Sequence, residues 1–242
     1  MSSNQFNLSD YPHQFFYRDL KLNLNEVSKI LKFEYSRIEN AEMRGIKPFD
    51  KKNPENEIFK ESKSISTIKS REYNAFQMYY PFMHELYSAV VDMVREACNY
   101  YDFDYNSEQW ICKSWFNINK KENGGRLHFH DHIDQSHIGK YLAFHGYYAV
   151  NAEPSITTYK IGDGIKQNIN KNNRALLSAV GFPHAMEEWS WEGERITIAY
   201  DVVPLKYYNQ LNYLNSPIKD HEDFWEQHWF PLPKIFDVGD TE

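Results

Sequence analysis

The patterning of the chain changes near residue 108, and this change constrains the fold more than any other feature of the sequence. Before it, two segments carry apolar residues at helical spacing; after it, six short runs rich in β-branched and aromatic residues alternate with Gly, Asn, Asp and Pro turns. The runs are residues 110–118, 127–134, 141–150, 156–161, 174–180 and 195–203. Such runs predict a double-sheet jelly roll, so the expected fold class is mainly β with N-terminal helices.

The two helical segments precede the strands. Asn25 is a candidate N-cap for the first helix, whose apolar positions are Val27, Ile30, Leu31, Tyr35 and Ile38. Pro81 is expected in the first turn of the second helix, which should run for about five turns. Between them, residues 44–71 are rich in Lys, Glu, Asn and Ser and are predicted to form an exposed loop.

A chain of 242 residues, 41% hydrophobic, can bury one sizeable core. We therefore expect a single domain in which residues 1–107 pack as a helical region on a β core of residues 108–203. Residues 204–242 form an aromatic tail, and residues 225–233 of this tail would suit a homodimer contact.

Charge and composition exclude several classes of function. The net charge is −7 and no basic cluster is evident, which argues against a nucleic-acid partner. No segment has the length and apolarity of a membrane span or signal peptide, and two cysteines cannot form a disulfide framework. A cytoplasmic protein that acts on a small molecule or a peptide is the expectation.

Four candidate metal ligands fall at every second position of one predicted strand: His128, His130, His132 and Asp134. Because side chains alternate along a strand, all four would share one face. A further histidine, His184, follows fifty residues after Asp134 in a Gly/Pro turn context. The plain alternative is that the histidine run is a solvated face or a surface patch that scavenges metal.

Two histidines and one carboxylate form the facial triad of non-haem Fe(II) enzymes, which leaves coordination positions open for a co-substrate and dioxygen. Arg195 opens the last predicted strand, and Thr197 shares its face. An arginine near such a site is suited to bind a carboxylate through two hydrogen bonds.

In the order of its motifs, this half of the chain resembles the 2-oxoglutarate- and Fe(II)-dependent oxygenases, particularly small bacterial and phage-type members. The matching segments are residues 115–121 (WFNINKK), 128–130 (HFH), 146–148 (GYY), 182–184 (FPH) and 195–200 (RITIAY). The resemblance implies a double-stranded β-helix, with Fe(II) held by a His-Xaa-Asp pair and by His184 as the distal ligand. It also implies that Arg195 and Thr197 anchor the distal carboxylate of 2-oxoglutarate.

The resemblance leaves the register of the proximal ligands open. Alignment with the phage-type relatives places their His-Xaa-His on His128 and His130, whereas the carboxylate chemistry of the wider superfamily points to His132 and Asp134. We favour His132 and Asp134, because a facial triad requires one anionic oxygen ligand. The pair His130 and His132 is a third option, and His145 is interpreted as a packed or pocket-lining residue.

The leading functional hypothesis is a 2-oxoglutarate-dependent dioxygenase that hydroxylates a small molecule or an amino-acid side chain, with release of succinate and CO2. Its cofactors would be Fe(II), 2-oxoglutarate and dioxygen. One alternative is a cupin-type metalloenzyme that uses three histidines, such as His128, His130 and His184, without a keto acid. Another is a jelly-roll binding module without catalytic activity.

Overall fold

The computed structural model describes residues 8–43, 65–67, 73–121, 129–132, 141–187, 189–206 and 229–234. Among these residues, no helix is both long and apolar enough to cross a membrane. The described chain forms two long helices and ten strands, arranged as two antiparallel sheets.

Helix α1 spans Leu24–Met43 and helix α2 spans Pro81–Tyr100. The side chain of Asn23 caps α1 by accepting a hydrogen bond of 3.4 Å from the backbone N–H of Glu26, so Asn25 lies in the first turn and is not the cap. Helix α2 begins at Pro81 as predicted, because a first-turn proline loses no intrahelical hydrogen bond.

The strands, in chain order, are β1 (Phe15–Asp19), β2 (Ile65–Ser66), β3 (Trp110–Lys120), β4 (Phe144–Asn151), β5 (Ile156–Ile161), β6 (Gly164–Ile169), β7 (Arg174–Ala179), β8 (His184–Met186), β9 (Glu194–Pro204) and β10 (Phe230–Pro231). The main sheet has the order β1-β7-β4-β9-β3-β10, and β2 also pairs with β3. The smaller sheet has the order β6-β5-β8, and a bridge between His130 and His184 continues it. The prediction of a mainly β, double-sheet jelly roll is confirmed.

The two faces of the main sheet have different environments. One face joins the largest apolar cluster, which it shares with α2 and which includes Phe116, Phe144, Ile198 and Tyr200. The other face carries Trp115, Tyr147 and Ala199, which pack against Tyr159 of the smaller sheet. The candidate anchors of β9, Arg195 and Thr197, alternate with its core residues Ile196 and Ile198, so they lie on the side that faces the smaller sheet.

Some strands lie outside the predicted runs. Strand β1 precedes the predicted β core and β10 follows it, so the N-terminal region and the tail each add a strand to the main sheet. The predicted loop 44–71 is described only at 65–67, where Ile65 and Ser66 pair with β3, so this part is a short strand and not an exposed loop. The homodimer contact predicted at residues 225–233 is described only at residues 229–233, and Trp229 in this part is already buried within the chain.

Gly146 provides a test of the central packing of the main sheet. A Cβ atom at this position would lie 2.2 Å from the carbonyl oxygen of Leu176 and 2.4 Å from the ring of Tyr200. We expect Gly146→Ala to lower the free energy of unfolding by about 1–3 kcal/mol because the clash forces strands β4 and β7 apart. Urea denaturation of this variant, of a control variant and of the parent protein measures the effect.

Gly164→Ala in β6 is the matched control, since the nearest atom to its Cβ would be 3.4 Å away. Its free energy of unfolding should stay within about 0.5 kcal/mol of the parent value. Equal destabilisation by the two variants would contradict the packing described for Gly146.

Candidate metal centre

An isolated antiparallel β-bridge brings His130 and His184 side by side, and the described residues 129–132 of the predicted strand 127–134 form no further strand pairing. The backbone N–H of His130 donates to the carbonyl of His184 at 3.1 Å, and the N–H of His184 donates back to His130 at 2.9 Å. Their ring centroids are 4.5 Å apart. His184 is buried and His130 is exposed, so the pair lies where the space between the sheets opens to solvent.

His132 completes a cluster of three histidines. Its ring centroid is 5.3 Å from that of His130 and 5.2 Å from that of His184. One ring nitrogen from each of the three lies within 4.8 Å of the others, a separation that one metal ion could bridge. Asp131 lies between His130 and His132 in the chain. Its carboxylate accepts hydrogen bonds from the backbone N–H groups of His132 and Gly181, which fixes residues 130–132 against the turn before β8.

Of the predicted ligands, His132 and His184 lie close together, and the third histidine of the cluster is His130. His128 and Asp134 lie outside the described residues. The preference for Asp134 as the anionic ligand therefore stays a prediction.

Two further residues belong to the centre, and sequence reasoning did not assign either of them to it. His145 of β4 and Asp201 of β9 are paired in the main sheet, and both are buried. Asp201 Oδ2 lies 3.1 Å from His132 Nδ1, and Asp201 Oδ1 lies 2.9 Å from His145 Nδ1. The signal for Asp201 is present in the sequence, since strand alternation from Arg195 places Thr197, Ala199 and Asp201 on one face.

Burial and neighbouring charges set the protonation of these groups. Burial by itself raises the pKa of Asp201, but the charge and hydrogen bonds of His132 and His145 reverse this and hold its pKa well below the usual range. Burial lowers the pKa of His145 to about 4 and that of His184 well below its ordinary value. For His132, burial lowers the pKa, but the Asp201 carboxylate outweighs it and the net shift is upward. Neutral His184 keeps a lone pair for a metal.

The donor atoms fit a divalent transition metal. His132 Nε2 is buried and has no hydrogen-bond partner among the described residues, while the Nδ1 of the same ring is held by Asp201. Buried polar atoms are rarely left unsatisfied, and a metal ion would satisfy this one. A cluster of imidazoles suits iron, zinc, copper or nickel, and not magnesium or calcium.

A buried cation, Arg195, lies in the same space between the sheets. Its Nε donates to Ser155 Oγ at 3.0 Å, and its exposed fraction is 6%. Burial lowers the pKa of this guanidinium, and no carboxylate of the described residues forms an ion pair with it. Because a buried charge is costly unless it is paired, an anionic ligand is the natural partner for Arg195.

Further polar groups support Arg195. Asn170 donates to Ser155 Oγ at 2.9 Å, and Thr197 is buried two residues along β9. Tyr159 of β5 lies beside the histidines, with its ring centroid 5.4 Å from that of His184. By strand alternation, the predicted carboxylate anchors Arg195 and Thr197 lie on the same face of β9 as Asp201.

No protein-family model and no curated protein matches this chain. Among solved structures, HygX from Streptomyces hygroscopicus, with nickel and 2-oxoglutarate bound, is similar with a TM-score of 0.49 and 12% identity, over 85% of this chain and 88% of HygX. SnoK, a non-heme alpha ketoglutarate dependent carbocyclase from nogalamycin biosynthesis, has a TM-score of 0.44 and 10% identity, over 78% of this chain and 79% of its own.

SnoN, a non-heme alpha ketoglutarate dependent epimerase from the same biosynthesis, has a TM-score of 0.41 and 9% identity. The similarity covers 58% of this chain and 60% of SnoN, which is less than two thirds of the length of SnoN.

We expect His184→Ala and His130→Ala each to weaken Co²⁺ binding more than about 100-fold, because losing a ligand should exceed the 10–100-fold effect typical of residues that only support one. Anaerobic titration of the metal-free protein, followed by cobalt absorption, measures the affinity. His84→Ala, on the exposed surface of α2, is the control and should bind Co²⁺ like the parent protein.

Asp134→Ala separates the alternative ligand sets. If it binds Co²⁺ normally while His130→Ala does not, the three-histidine cluster is the ligand set. Loss of binding in Asp134→Ala with normal binding in His130→Ala would instead support the register with a carboxylate ligand.

Proposed function

We propose that this chain is a non-haem Fe(II)- and 2-oxoglutarate-dependent oxygenase. His130, His132 and His184 hold the metal, and Arg195 with Thr197 binds the distal carboxylate of 2-oxoglutarate. The observation that carries the proposal is that a histidine cluster and a buried arginine, with no carboxylate partner among the described residues, share one space between the sheets.

A 2-oxo dicarboxylic acid has the chemistry that both ends of this space require. Its keto and carboxylate oxygens can chelate a metal, and its second carboxylate can accept two hydrogen bonds from a guanidinium. Iron, when bound, would supply the activation of dioxygen. The chain would supply orientation and a dry environment, since an apolar cluster that includes Trp115, Tyr147, Tyr159, Leu176 and Ala199 is buried between the sheets.

The substrate class follows from charge and from the proposed chemistry. The acidic chain argues against a nucleic acid, and we propose a small molecule or an amino-acid side chain. Hydroxylation with release of succinate and CO2 is the proposed outcome.

The anchoring role of Arg195 can be tested by succinate formation. With Fe²⁺, ascorbate, 2-oxoglutarate and air, the parent protein should form succinate slowly even without a second substrate. We expect Arg195→Met to raise the KM for 2-oxoglutarate roughly 100-fold, because the co-substrate loses a charge-assisted bidentate hydrogen bond in a buried site.

Arg174→Met is the matched control, since Arg174 is already paired with the Asp19 carboxylate at 2.7 Å and both side chains are partly exposed. Its KM should equal that of the parent protein. Unchanged KM in Arg195→Met would contradict the anchoring role, and absence of both succinate and a 2-oxoglutarate-dependent absorption band in the iron-loaded parent protein would contradict the proposed function.

A second candidate is a three-histidine metalloenzyme that uses no keto acid. It is favoured by one observation: of the two groups of possible metal ligands among the described residues, one consists of three histidines, His130, His132 and His184. In that case Arg195 would bind a carboxylate of the substrate itself. Oxygen consumption that depends on iron and substrate but not on 2-oxoglutarate would support this candidate over the first.

A further inference from the structure

We propose that Asp201 is a positioning residue of the metal centre, which fixes the tautomers of His132 and His145 so that Nε2 of His132 faces the metal. This inference rests on the metal centre proposed above. It adds a residue from β9 that the histidine run in the sequence does not contain.

The hydrogen bonds of Asp201 assign the tautomers of both rings. Asp201 uses one carboxylate oxygen for each ring, at 3.1 Å from His132 Nδ1 and 2.9 Å from His145 Nδ1. An ionised carboxylate only accepts hydrogen bonds, so each Nδ1 must carry the hydrogen. In a neutral imidazole the other nitrogen, Nε2, then carries the lone pair. For His132, this is the buried nitrogen without a partner among the described residues.

Ring stacking fixes the plane of His132 as well as its tautomer. The His145 ring lies 3.9 Å from the His132 ring at an interplanar angle of 23°. The Trp115 ring lies 5.8 Å from the His132 ring at 22°. Flanked by these rings and bonded through Nδ1, His132 is oriented before a metal binds, which lowers the entropic cost of binding.

The backbone makes Asp201 a rigid support. Strand β9 is paired on both sides, and Asp201 lies opposite Lys113 of β3 and His145 of β4. Its side chain is buried together with that of Lys113. A carboxylate bonded to the second nitrogen of a ligating histidine makes that histidine a better donor.

The amide of Asp201→Asn tests this arrangement, because it offers one acceptor and one donor and cannot accept from both rings. We expect Co²⁺ to bind roughly 10–100-fold more weakly than to the parent protein, with a changed cobalt absorption band. In the double variant Asp201→Asn with His145→Phe, the amide oxygen is free to serve His132, and part of the affinity should return.

Ser114→Ala is the matched control. It removes a buried hydrogen bond from the Ser114 hydroxyl to the backbone carbonyl of Ala199, and the Ser114 side chain lies on the face of the main sheet opposite to Asp201. It should lower stability and leave the cobalt band unchanged. The tautomers can also be observed directly in the parent protein. Long-range ¹H–¹⁵N spectra of its zinc-loaded form should show Nδ1–H on both His132 and His145.

The outcomes separate the two proposals. If the parent protein binds no metal, the proposed metal centre fails. If the parent protein binds Co²⁺ and Asp201→Asn binds it equally with the same band, the positioning role fails. The same conclusion follows if the double variant is no better than Asp201→Asn, or if either ring carries its hydrogen on Nε2.

Discussion

Side chains alternate along β9 between the apolar core and the space between the two sheets. Its even-numbered residues, such as Ile198 and Tyr200, join the apolar cluster that packs against α2. Its odd-numbered residues present Arg195, Thr197 and Asp201 to the space between the sheets. A shift of one residue in its pairing with β3 and β4 would exchange these two sets, so the core and the candidate site are fixed by the same register.

The inner face of the main sheet buries charged side chains, which has an energetic cost. Arg195, Asp201 and Lys113 are each less than a tenth exposed, and a buried ion costs several kcal/mol unless it is paired and hydrogen-bonded. Asp201 is bonded to two imidazoles, whereas the described partner of Arg195 is the neutral hydroxyl of Ser155. From this asymmetry we propose that Asp201 belongs to the folded framework and that Arg195 binds an anion.

The sequence predicts the parts of this fold that have a clear period or clear boundaries. Strand β5 and helix α2 occur where periodicity and turn residues place them. Strand β6 does not, because it is an edge strand with mostly exposed residues and no apolar alternation, and β8 does not because three residues after Pro183 carry no period. Asp201 and His145 meet only because β4 pairs with β9, and a single sequence does not reveal which strands are neighbours.

Charge balance explains how a three-histidine centre could work where related chemistry uses a carboxylate ligand. Three neutral imidazoles leave a divalent metal with its full charge, which favours chelation by an anionic keto acid. Asp201 adds a negative charge one hydrogen bond behind His132, where it strengthens that ligand without occupying a coordination position. In this proposal Asp201 supports His132, although His132, His145 and Asp201 also form a group that could itself hold a metal ion. The choice between His130 and Asp134 as the proximal ligand beside His132 is then a question of where the negative charge acts.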